Sequence, residues 1–465
     1  MRLSHNWRRG GAEFDDENLV SCAGLVPVME LAAQTGLPDL LGEHVVFRSE
    51  RIRSGAANPT PKLASIIAGM AAGADSIDDL DVIRAGGMKK LFNPVYAPAT
   101  MGIFLREFTH GHTRQLASVL RRHLLALAKR TDVLAGITDQ AFVDIDSLLR
   151  PVYGHAKQGA SFGHTKIANR QVLRKGLSPL ATTISSRKTA PVLAGIRLRA
   201  GKAGSGKGAA GMITEAINTA KAAGARNILC RGDSAFGNGK VIAAVVNTGA
   251  RFSFVLTKSR PVLRAIGTIA DDAWTPVHYP GAVTDPDTGE LISDAEVAEV
   301  DYTAFAGTKY EITARLIVRR VRDRNHPDEL FPVWRYHPFF TNNTEPVTDA
   351  DITHRQHAII ESVFADLIDG PLAHLPSGVF AANAAWVVLA AITHNLLRAT
   401  GTLTDHAHAV ARGATLRRHL VNVPARIARP QGTPTLHLPV HWPQASQWKT
   451  LWDNTFTDHT QQTAA

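Results

Sequence analysis

The sequence is poor in cysteine, the residue that builds disulfide frameworks and many metal sites. Only Cys22 and Cys230 occur among 465 residues, and they lie far apart. This excludes a disulfide-stapled scaffold and favours a reducing, cytoplasmic environment. Zinc motifs are missing as well, because no H-E-x-x-H occurs and the two His-x-His pairs lack partner ligands at a recognisable spacing. We therefore expect no zinc site.

Long apolar runs without polar residues are also absent. Residues 1–21 contain basic side chains with no apolar segment after them, so we expect no signal peptide. The most apolar stretch, residues 379–397, carries Asn383, His394 and Asn395. These polar side chains predict a buried helix rather than a membrane span.

The sequence does have an excess of positive charge. Its formal net charge is +10, with 51 Lys and Arg against 41 Asp and Glu. Such a balance favours a polyanionic partner, most simply nucleic acid, although basic enzymes of other classes exist. The hydrophobic content of 45% indicates a globular chain, and the length predicts two or three structural units.

The sequence pattern divides the chain into five parts. In chain order these are a disordered basic lead (1–16), a helical N-terminal domain (17–135), an α/β domain in two pieces (136–260 and 346–400), an inserted, mostly antiparallel β unit between the pieces (261–345) and a basic C-terminal tail (401–465). The N-terminal helices fit a DNA-binding unit and a structural cap equally well. The tail could pack on the body, contact DNA or mediate dimerisation.

The first strand of the α/β domain carries two acidic residues. Residues 141–146 (AFVDID) alternate apolar and acidic side chains, which predicts a strand with Asp144 and Asp146 on one face. Two neighbouring carboxylates repel each other, and a fold tolerates them mainly when a cation lies near. A strand with a solvated acidic edge is the alternative explanation.

Another acidic residue ends a later strand. Residues 227–231 predict a short strand, and Asp233 follows it, before a small-residue turn and a helix over 240–248. Ligands bind at such strand ends in α/β sheets. Alternatively, Asp233 is the N-cap of that helix, a common use of Asp.

A third acid, Glu361, lies on a helix that is predicted to begin at residue 348. The core face of this helix would be formed at i, i+4 and i+7 by Ile360, Phe364 and Leu367. His354 and His357 lie seven and four residues before Glu361 and share one side of the helix. An ordinary solvated helix face would have the same pattern.

A Gly/Lys-rich loop covers residues 201–211 (GKAGSGKGAAG) and contains G-x4-G-K, the start of a phosphate-binding loop. A nucleotide-binding loop of that type needs Ser or Thr next to coordinate the metal, but Gly208 follows Lys207. We therefore reject an NTPase. A flexible basic loop beside a DNA backbone stays compatible with the sequence.

The three acids, two from strands and one from a helix, are a donor set that two-metal phosphoryl transfer can use. Mg²⁺ takes oxygen ligands and keeps several waters, so three carboxylates suffice to bind it.

The segments that contain these acids resemble bacterial insertion-sequence transposases of the DDE type, which have an RNase H-like catalytic domain. The similar segments are VDIDS at 143–147 with YGHAKQGASFGHTK downstream, RGDSAFGN at 231–238, HRQHAIIESVFADL at 354–367 and the apolar segment at 377–398. The order of the acids, with a β-rich insertion between the second and the third, is the most specific part of the resemblance.

The resemblance implies an α/β fold with an RNase H-like mixed sheet and flanking helices. It implies catalysis by Asp146, Asp233 and Glu361, which would bind Mg²⁺ or Mn²⁺, with Asp144 as a further candidate ligand. The enzyme would bind the terminal inverted repeats of its own element and target DNA, and would cleave and join strands in cut-and-paste transposition. It would act at the nucleoid in the cytoplasm, away from membranes. Pairing two DNA ends implies a dimer in the DNA-bound complex.

Side chains that contact DNA are expected to be basic or to donate hydrogen bonds. The candidates are His354, Arg355, His357, Lys258, Arg260 and Lys166. Relatives often carry Tyr and Arg seven and four residues before the Glu and Lys seven after it. Those positions here are His354, His357 and Ile368. Two alternatives therefore stay open: a catalytically inactive, transposase-derived DNA-binding protein and an RNase H-like nuclease.

Overall fold

A computed structural model of the chain describes residues 4, 8, 10–47, 55–154, 156–167, 170–204, 206–279, 295–322, 333–429 and 432–457. The side chains of residues 164–167, 170 and 171 are outside this description. The predicted disordered lead lies partly outside the described residues.

Helices occur throughout the described chain. The α-helices are α1 (Leu25–Gln34), α2 (Leu37–His44), α3 (Pro59–Ala72), α4 (Met88–Leu91), α5 (Pro98–Arg106), α6 (His110–Arg130), α7 (Ala209–Ala222), α8 (Gly239–Asn247), α9 (Arg260–Ile266), α10 (Val347–Arg355), α11 (Ile359–Ile368), α12 (Phe380–Thr402), α13 (His406–Val410), α14 (Gly413–Leu416) and α15 (Ala445–Phe456). Shorter turns of helix are 3-10 at Asp78–Arg84, Asp132–Leu134, Asp271–Ala273 and Gln356–Ala358, and π at Arg417–Val421.

Most strands lie in the middle of the sequence. They are β1 (Leu19–Val20), β2 (Ala141–Ser147), β3 (Arg150–Pro151), β4 (Ser161–Ile167), β5 (Arg170–Leu177), β6 (Leu180–Ser185), β7 (Val192–Arg197), β8 (Ile228–Gly232), β9 (Arg251–Val255), β10 (Thr275–Pro276), β11 (Ala295–Ala304), β12 (Ile312–Arg322), β13 (Trp334–Thr341), β14 (Ala425–Ala428) and β15 (Thr435–His437).

A nine-stranded mixed sheet forms the centre of the described structure, in the order β10-β11-β12-β13-β9-β8-β2-β6-β7. Strands β2, β8 and β9 run parallel to one another, whereas β6 runs antiparallel to both of its neighbours, β2 and β7. Strands β2, β6 and β8 are buried along almost their whole length, because helices cover both faces of the sheet. This confirms the expected α/β class with a mixed sheet and flanking helices.

The strands described within the predicted insertion continue this central sheet. β13 pairs antiparallel with β9, so that Phe340 lies opposite Phe254, and β12, β11 and β10 follow outward. The antiparallel arrangement agrees with the sequence prediction. Because β13 forms hydrogen bonds with β9, the outer parallel strand, the insertion extends the sheet on that side.

Helices cover both faces of the sheet. On one face Met212 of α7 lies against Gly195 of β7. On the other face Arg231 of β8 donates a hydrogen bond to the Thr353 carbonyl of α10 (2.7 Å). Side chains alternate along a strand, and Asp144 is paired with Arg231 in register, so Asp144 and Asp146 face α10.

Helix α12 lies at the centre of the helical part, and nearly all of its residues are buried, as the sequence predicted. Helices α1, α3, α5 and α6 pack around it. The Asn395 side chain accepts a hydrogen bond from the Leu193 N–H and donates one to the Leu193 carbonyl (both 2.8 Å). These bonds satisfy backbone groups of Leu193 in β7, the strand at the edge of the sheet. By length and composition α12 could cross a membrane, but here it is a core helix that joins the N-terminal helices to the sheet in one hydrophobic core.

The described residues of the C-terminal tail pack on the body. Strand β14 pairs with β1 and β15 pairs with β14. Trp448 of α15 is buried, and the Asn454 amide donates to the Leu403 carbonyl (2.8 Å). Of the three roles that the sequence left open for the tail, packing is the one seen here.

Candidate functional site

Two of the predicted catalytic acids lie at the C-terminal ends of adjacent strands, on the same edge of the central sheet. In the parallel pair β2–β8, Ile145 lies opposite Gly232. The next residues along the two strands are Asp146 and Asp233, so we expect their Cα atoms to be about one strand spacing apart, roughly 5 Å. This is the carboxyl edge of the parallel strands, where α/β sheets bind ligands.

The two carboxylates differ in their exposure to solvent. Asp146 is half-buried, and its Oδ1 accepts a hydrogen bond from the Ser147 N–H (2.6 Å). Asp233 is exposed, and its Oδ1 accepts from the Ala235 N–H (2.9 Å) in the turn after β8. A carboxylate has about four acceptor positions, so the Asp233 group keeps capacity for a further ligand.

The helix that follows Asp233 is capped by another residue. Helix α8 begins at Gly239, and the Asn238 Oδ1 accepts a hydrogen bond from the Val241 N–H (3.2 Å). The alternative in which Asp233 is the N-cap of this helix is therefore wrong.

The neighbouring acid Asp144 forms a buried, bidentate ion pair with Arg231. The Arg231 Nε donates to Asp144 Oδ1 (2.7 Å) and its Nη2 donates to Oδ2 (2.9 Å), and both side chains are 1% exposed. The guanidinium also lies over the Phe142 ring, 4.1 Å from its centroid. Asp144 thus has a cation near it, as two adjacent carboxylates require, but that cation is an arginine. This geometry does not support Asp144 as a metal ligand.

The predicted helix around Glu361 is interrupted. The chain forms α10, then a 3-10 turn at Gln356–Ala358, then α11, so the single helix expected from residue 348 is wrong. The predicted core face is correct, because Ile360, Phe364 and Leu367 are all buried. Helix α11 packs against β2 and carries Glu361 in its first turn, exposed to solvent.

The three acids do not form a closed metal site. Within the described part of the chain, no three His, Cys, Asp or Glu side chains are close enough together to hold a metal ion. Asp146 and Asp233 are neighbours, and Glu361 lies on the helix that packs against β2. Carboxylate oxygens are the ligands that Mg²⁺ prefers, so the donor set fits a divalent cation in its chemistry.

A basic cleft adjoins Asp233. It has a volume of about 540 Å³, and the residue after Asp233, Ser234, is part of its wall. The cationic or potentially cationic side chains around it are Lys258, Arg319, His337, His354, Arg355 and His357. Among the described residues of its wall the one acid is Asp351, which accepts a hydrogen bond from the Tyr279 hydroxyl (2.6 Å). The cleft is therefore suited to an anionic group next to the acids.

His354 is buried beneath this cleft. Its ring stacks on Phe339 with centroids 4.1 Å apart and an interplanar angle of 1°, and a hydrogen bond joins its Nδ1 to the Ser253 Oγ (2.8 Å). Burial lowers the pKa of His354 well below its usual value, and His357 and Arg231 add to this effect. A neutral, buried ring does not offer a charge to DNA, so the geometry speaks against a direct DNA contact by His354.

The other predicted DNA-contacting residues lie in different places. Arg355 is exposed and stacks on Tyr279, 3.9 Å from the ring centroid, while Lys258 is exposed at the cleft wall. His357 is half-buried, and its Nδ1 donates to the His354 carbonyl (2.6 Å). Arg260 is exposed at the start of α9, and Lys166 lies in β4, where its side chain is outside the description.

Sequence reasoning did not select Arg319 and His337 for this site. They lie opposite each other on β12 and β13, and both contribute to the cleft. The signal was present as the number of arginines along β12, but a solvated strand face has the same composition. Only the pairing of β13 with β9 brings this face next to Asp233.

Comparison with known proteins agrees with the expected family. The chain matches the family model described as transposase DDE domain group 1 over residues 7–456. No curated protein matches its sequence. Among solved structures, it is similar to a piggyBac transposase in a synaptic complex with hairpin DNA, with 10% identity, a TM-score of 0.40, and coverage of 88% of this chain and 77% of that one. Because the family model covers nearly the whole chain, this protein belongs to the DDE transposase family.

Proposed function

We propose that this transposase cleaves and joins DNA with Asp146, Asp233 and Glu361 as its catalytic acids. The observation that carries the proposal is the register of β2 and β8, which brings Asp146 and Asp233 to one sheet edge beside a basic cleft. Glu361 is included because it is exposed on the helix that packs against β2. Asp144 is left out because Arg231 binds both of its oxygens.

Each group has a defined chemical task in this proposal. Asp146, Asp233 and Glu361 would hold Mg²⁺ or Mn²⁺, which when bound activates an attacking oxygen and stabilises a leaving one. Lys258, Arg319 and Arg355 would hold backbone phosphates beside Asp233 by charge-assisted hydrogen bonds. His357, on the same wall, would contribute hydrogen bonding.

The proposed reaction has two steps on phosphorus, a hydrolysis in which the water proton is passed to the leaving oxygen and then a transesterification. In the first, a water oxygen attacks the phosphodiester, the bond from phosphorus to the 3′-oxygen breaks, and the 3′-oxygen leaves as a hydroxyl after taking a proton. In the second, that hydroxyl loses its proton and attacks a phosphodiester of target DNA, releasing a new 3′-hydroxyl. The DNA substrates would be the terminal inverted repeats and the target, bound by a dimer at the bacterial nucleoid.

The test uses the purified full-length chain and DNA that carries the terminal repeats of its own locus, with Mg²⁺ or with EDTA. We expect metal-dependent cleavage at the repeat boundary. Asp146→Asn, Asp233→Asn and Glu361→Gln should each reduce cleavage by about a thousandfold or more, because a metal supplies several kcal/mol of transition-state stabilisation. Each variant should still bind the DNA.

The matched control is Asp39→Asn, which removes an exposed carboxylate from α2 and should cleave like the wild type. Wild-type cleavage by all three acid variants would overturn the assignment. Cutting without preference for repeat ends, and without joining, would identify a nuclease instead.

A second candidate function is DNA binding without catalysis. It is favoured by one observation, the lack of a three-carboxylate metal cluster among the described residues. In that case the wild-type protein binds the repeat ends but cleaves nothing with Mg²⁺ or Mn²⁺.

A further inference from the structure

A basic cavity lies on the face of the sheet opposite to the acids. Its volume is about 540 Å³. Among the described residues its lining has one carboxylate, that of Glu215, against six cationic side chains, Arg114, Arg121, Arg197, Arg199, Lys202 and Lys207. Parts of α6, β7, α7 and α12 and the Gly/Lys-rich loop after β7 enclose it.

Strand pairing separates this cavity from the acids. Arg197 pairs with Leu180, which pairs with Ser147. Arg197 is therefore two strands, or about 10 Å, from the end of β2, and its side chain is on the face of Ser147 rather than of Asp146. The cavity is a different place from the cleft beside Asp233.

Arg199 holds the described residues on both sides of position 205 in the Gly/Lys-rich loop. This buried guanidinium donates to the Ser178 carbonyl (3.2 Å) and to the carbonyls of Gly204 (3.3 Å) and Lys207 (3.2 Å). At Gly201, a Cβ would be 2.2 Å from the Ser161 carbonyl oxygen, so the backbone needs glycine for this close approach. The loop is thus held against the body with the exposed Lys207 at the cavity wall.

Glu215 neutralises only part of the positive charge. Arg114 and Arg121 bind its two oxygens at 2.7 and 3.1 Å. Within the described residues, no hydrogen bond or ion pair is formed by the side chains of Arg197 or Lys207. Burial lowers the pKa of Arg197, and the nearby Arg114 lowers it further. Clustered cations without enough acid favour binding of an anion.

Helix α7 adds a favourable dipole at the same place. It begins at Ala209 after Gly208, which has a φ of +82° and lines the cavity, and no side chain caps this end. The N-terminus of a 14-residue helix carries a partial positive charge and presents backbone N–H groups to an anion.

We propose that this cavity binds a phosphate-rich anion, with Arg197 and Lys207 as direct ligands and Arg199 as a positioning residue for the loop. The phosphates could come from a free oligophosphate or nucleotide, or from a DNA backbone. Gly208 follows Lys207, where a nucleotide-hydrolysing loop has the Ser or Thr that coordinates the metal, so the proposal is for binding of phosphate without hydrolysis.

The test is calorimetric titration of the full-length protein with inorganic tripolyphosphate in EDTA at low salt. We expect the wild type to bind tripolyphosphate. The double variant, Arg197→Gln with Lys207→Gln, should raise the Kd by about tenfold or more, because it loses hydrogen bonds to charged groups. Arg226→Gln is the matched control, because it removes an exposed arginine beyond the far end of α7, and it should bind like the wild type.

A variant that binds tripolyphosphate more tightly than the wild type would show that the cavity recognises anions, because a loss of structural support could only weaken binding. Glu215→Gln removes the negative charge that binds Arg114 and Arg121 and should lower the Kd for tripolyphosphate. If the double variant is destabilised, the exposed Lys207→Gln alone is measured after its thermal midpoint is shown to be unchanged. Absence of wild-type binding, or equal Kd values for the double variant and Arg226→Gln, would overturn the proposal.

The source of the phosphate is decided by repeating the titration on protein saturated with duplex DNA. If the DNA-saturated protein no longer binds tripolyphosphate, and the double variant binds DNA more weakly than the wild type, the natural ligand of the cavity is the DNA backbone. Retained binding of tripolyphosphate and of ATP identifies a free anion. Asp233→Asn should bind tripolyphosphate like the wild type, so failure of the catalytic proposal and failure of this one are distinguishable.

Discussion

Asp144 and Arg231 form a buried ion pair that joins the two central parallel strands to helix α10. Both oxygens of the carboxylate are bonded to the guanidinium, whose remaining Nη1 donates to the Thr353 carbonyl. Asp146 lies two residues along the same strand face, at the edge where the strand ends. Of two acids that look alike in sequence, one is buried in an ion pair and the other is half-buried at the end of the strand.

Removing one partner of this pair should destabilise the fold. Arg231→Met leaves the Asp144 carboxylate buried without a counter-charge, and we expect a loss of about 3–5 kcal/mol in the free energy of unfolding. Urea denaturation of the wild type and the variant gives this difference. Asp146→Asn is the comparison, and its stability should be close to that of the wild type. Equal stabilities for Arg231→Met and the wild type would contradict the structural role of the pair.

The cap of helix α8 should be separable from the candidate site. Asn238→Ala removes the side chain that accepts from the Val241 N–H, and should cost about 1 kcal/mol of stability. Cleavage of repeat-end DNA should persist in this variant. Asp233→Ala should have the reverse effect, with cleavage lost and stability kept. Stability and single-turnover cleavage measured on both variants check this, and a destabilised Asp233→Ala would show that Asp233 supports the turn after β8 through its hydrogen bond from the Ala235 N–H.

DNA binding by the basic cleft should depend on salt in a way that identifies the residues that contact phosphate. Lys258→Gln and Arg355→Gln should each reduce the slope of log K against log salt concentration by about 0.9, because each removes one phosphate contact. His354→Phe should leave the slope unchanged, since the buried ring is neutral. Fluorescence anisotropy at several salt concentrations measures the slopes. A smaller slope for His354→Phe would show that His354 reaches DNA after all.

Acid should destabilise the protein partly through His123. This side chain is 1% exposed, its Nε2 is 2.9 Å from the Thr35 Oγ, and burial lowers its pKa to about 4. Between pH 6.5 and about 4 the unfolded chain binds a proton that the folded chain does not, so stability falls as the pH is lowered. The difference between the two pKa values corresponds to about 3 kcal/mol.

His123→Gln should therefore lose less stability than the wild type between pH 7 and pH 4.5. Denaturation curves at both pH values provide the comparison. His374→Gln, which alters an exposed histidine, is the control and should follow the wild type. An identical pH dependence for His123→Gln and the wild type would exclude His123 as a source of acid sensitivity.

The sequence by itself determined the features that depend on local pattern. Alternation of apolar and acidic residues predicted β2, and a 3.6-residue period predicted the buried face of α11. The most apolar stretch of the sequence predicted the core helix α12. The order of the acids and their spacing along the chain pointed to the family. These features follow from side-chain periodicity, which is set within a few turns or strand residues of each position.

Tertiary structure decided what depends on pairing between distant segments. Asp144 and Asp146 share one strand face, so only the register of β2 against β8 assigns one to Arg231 and the other to the strand end. The burial of His354 depends on Phe339, which comes from another strand. The hairpin of β4 and β5 was not predicted, because glycines and charged residues obscure its alternation. The basic cavity brings α6 next to α7 and the loop before it, and Arg114 and Glu215, which pair across it, are 101 residues apart in sequence. Contacts of this range are fixed by packing and strand register, and no local pattern encodes them.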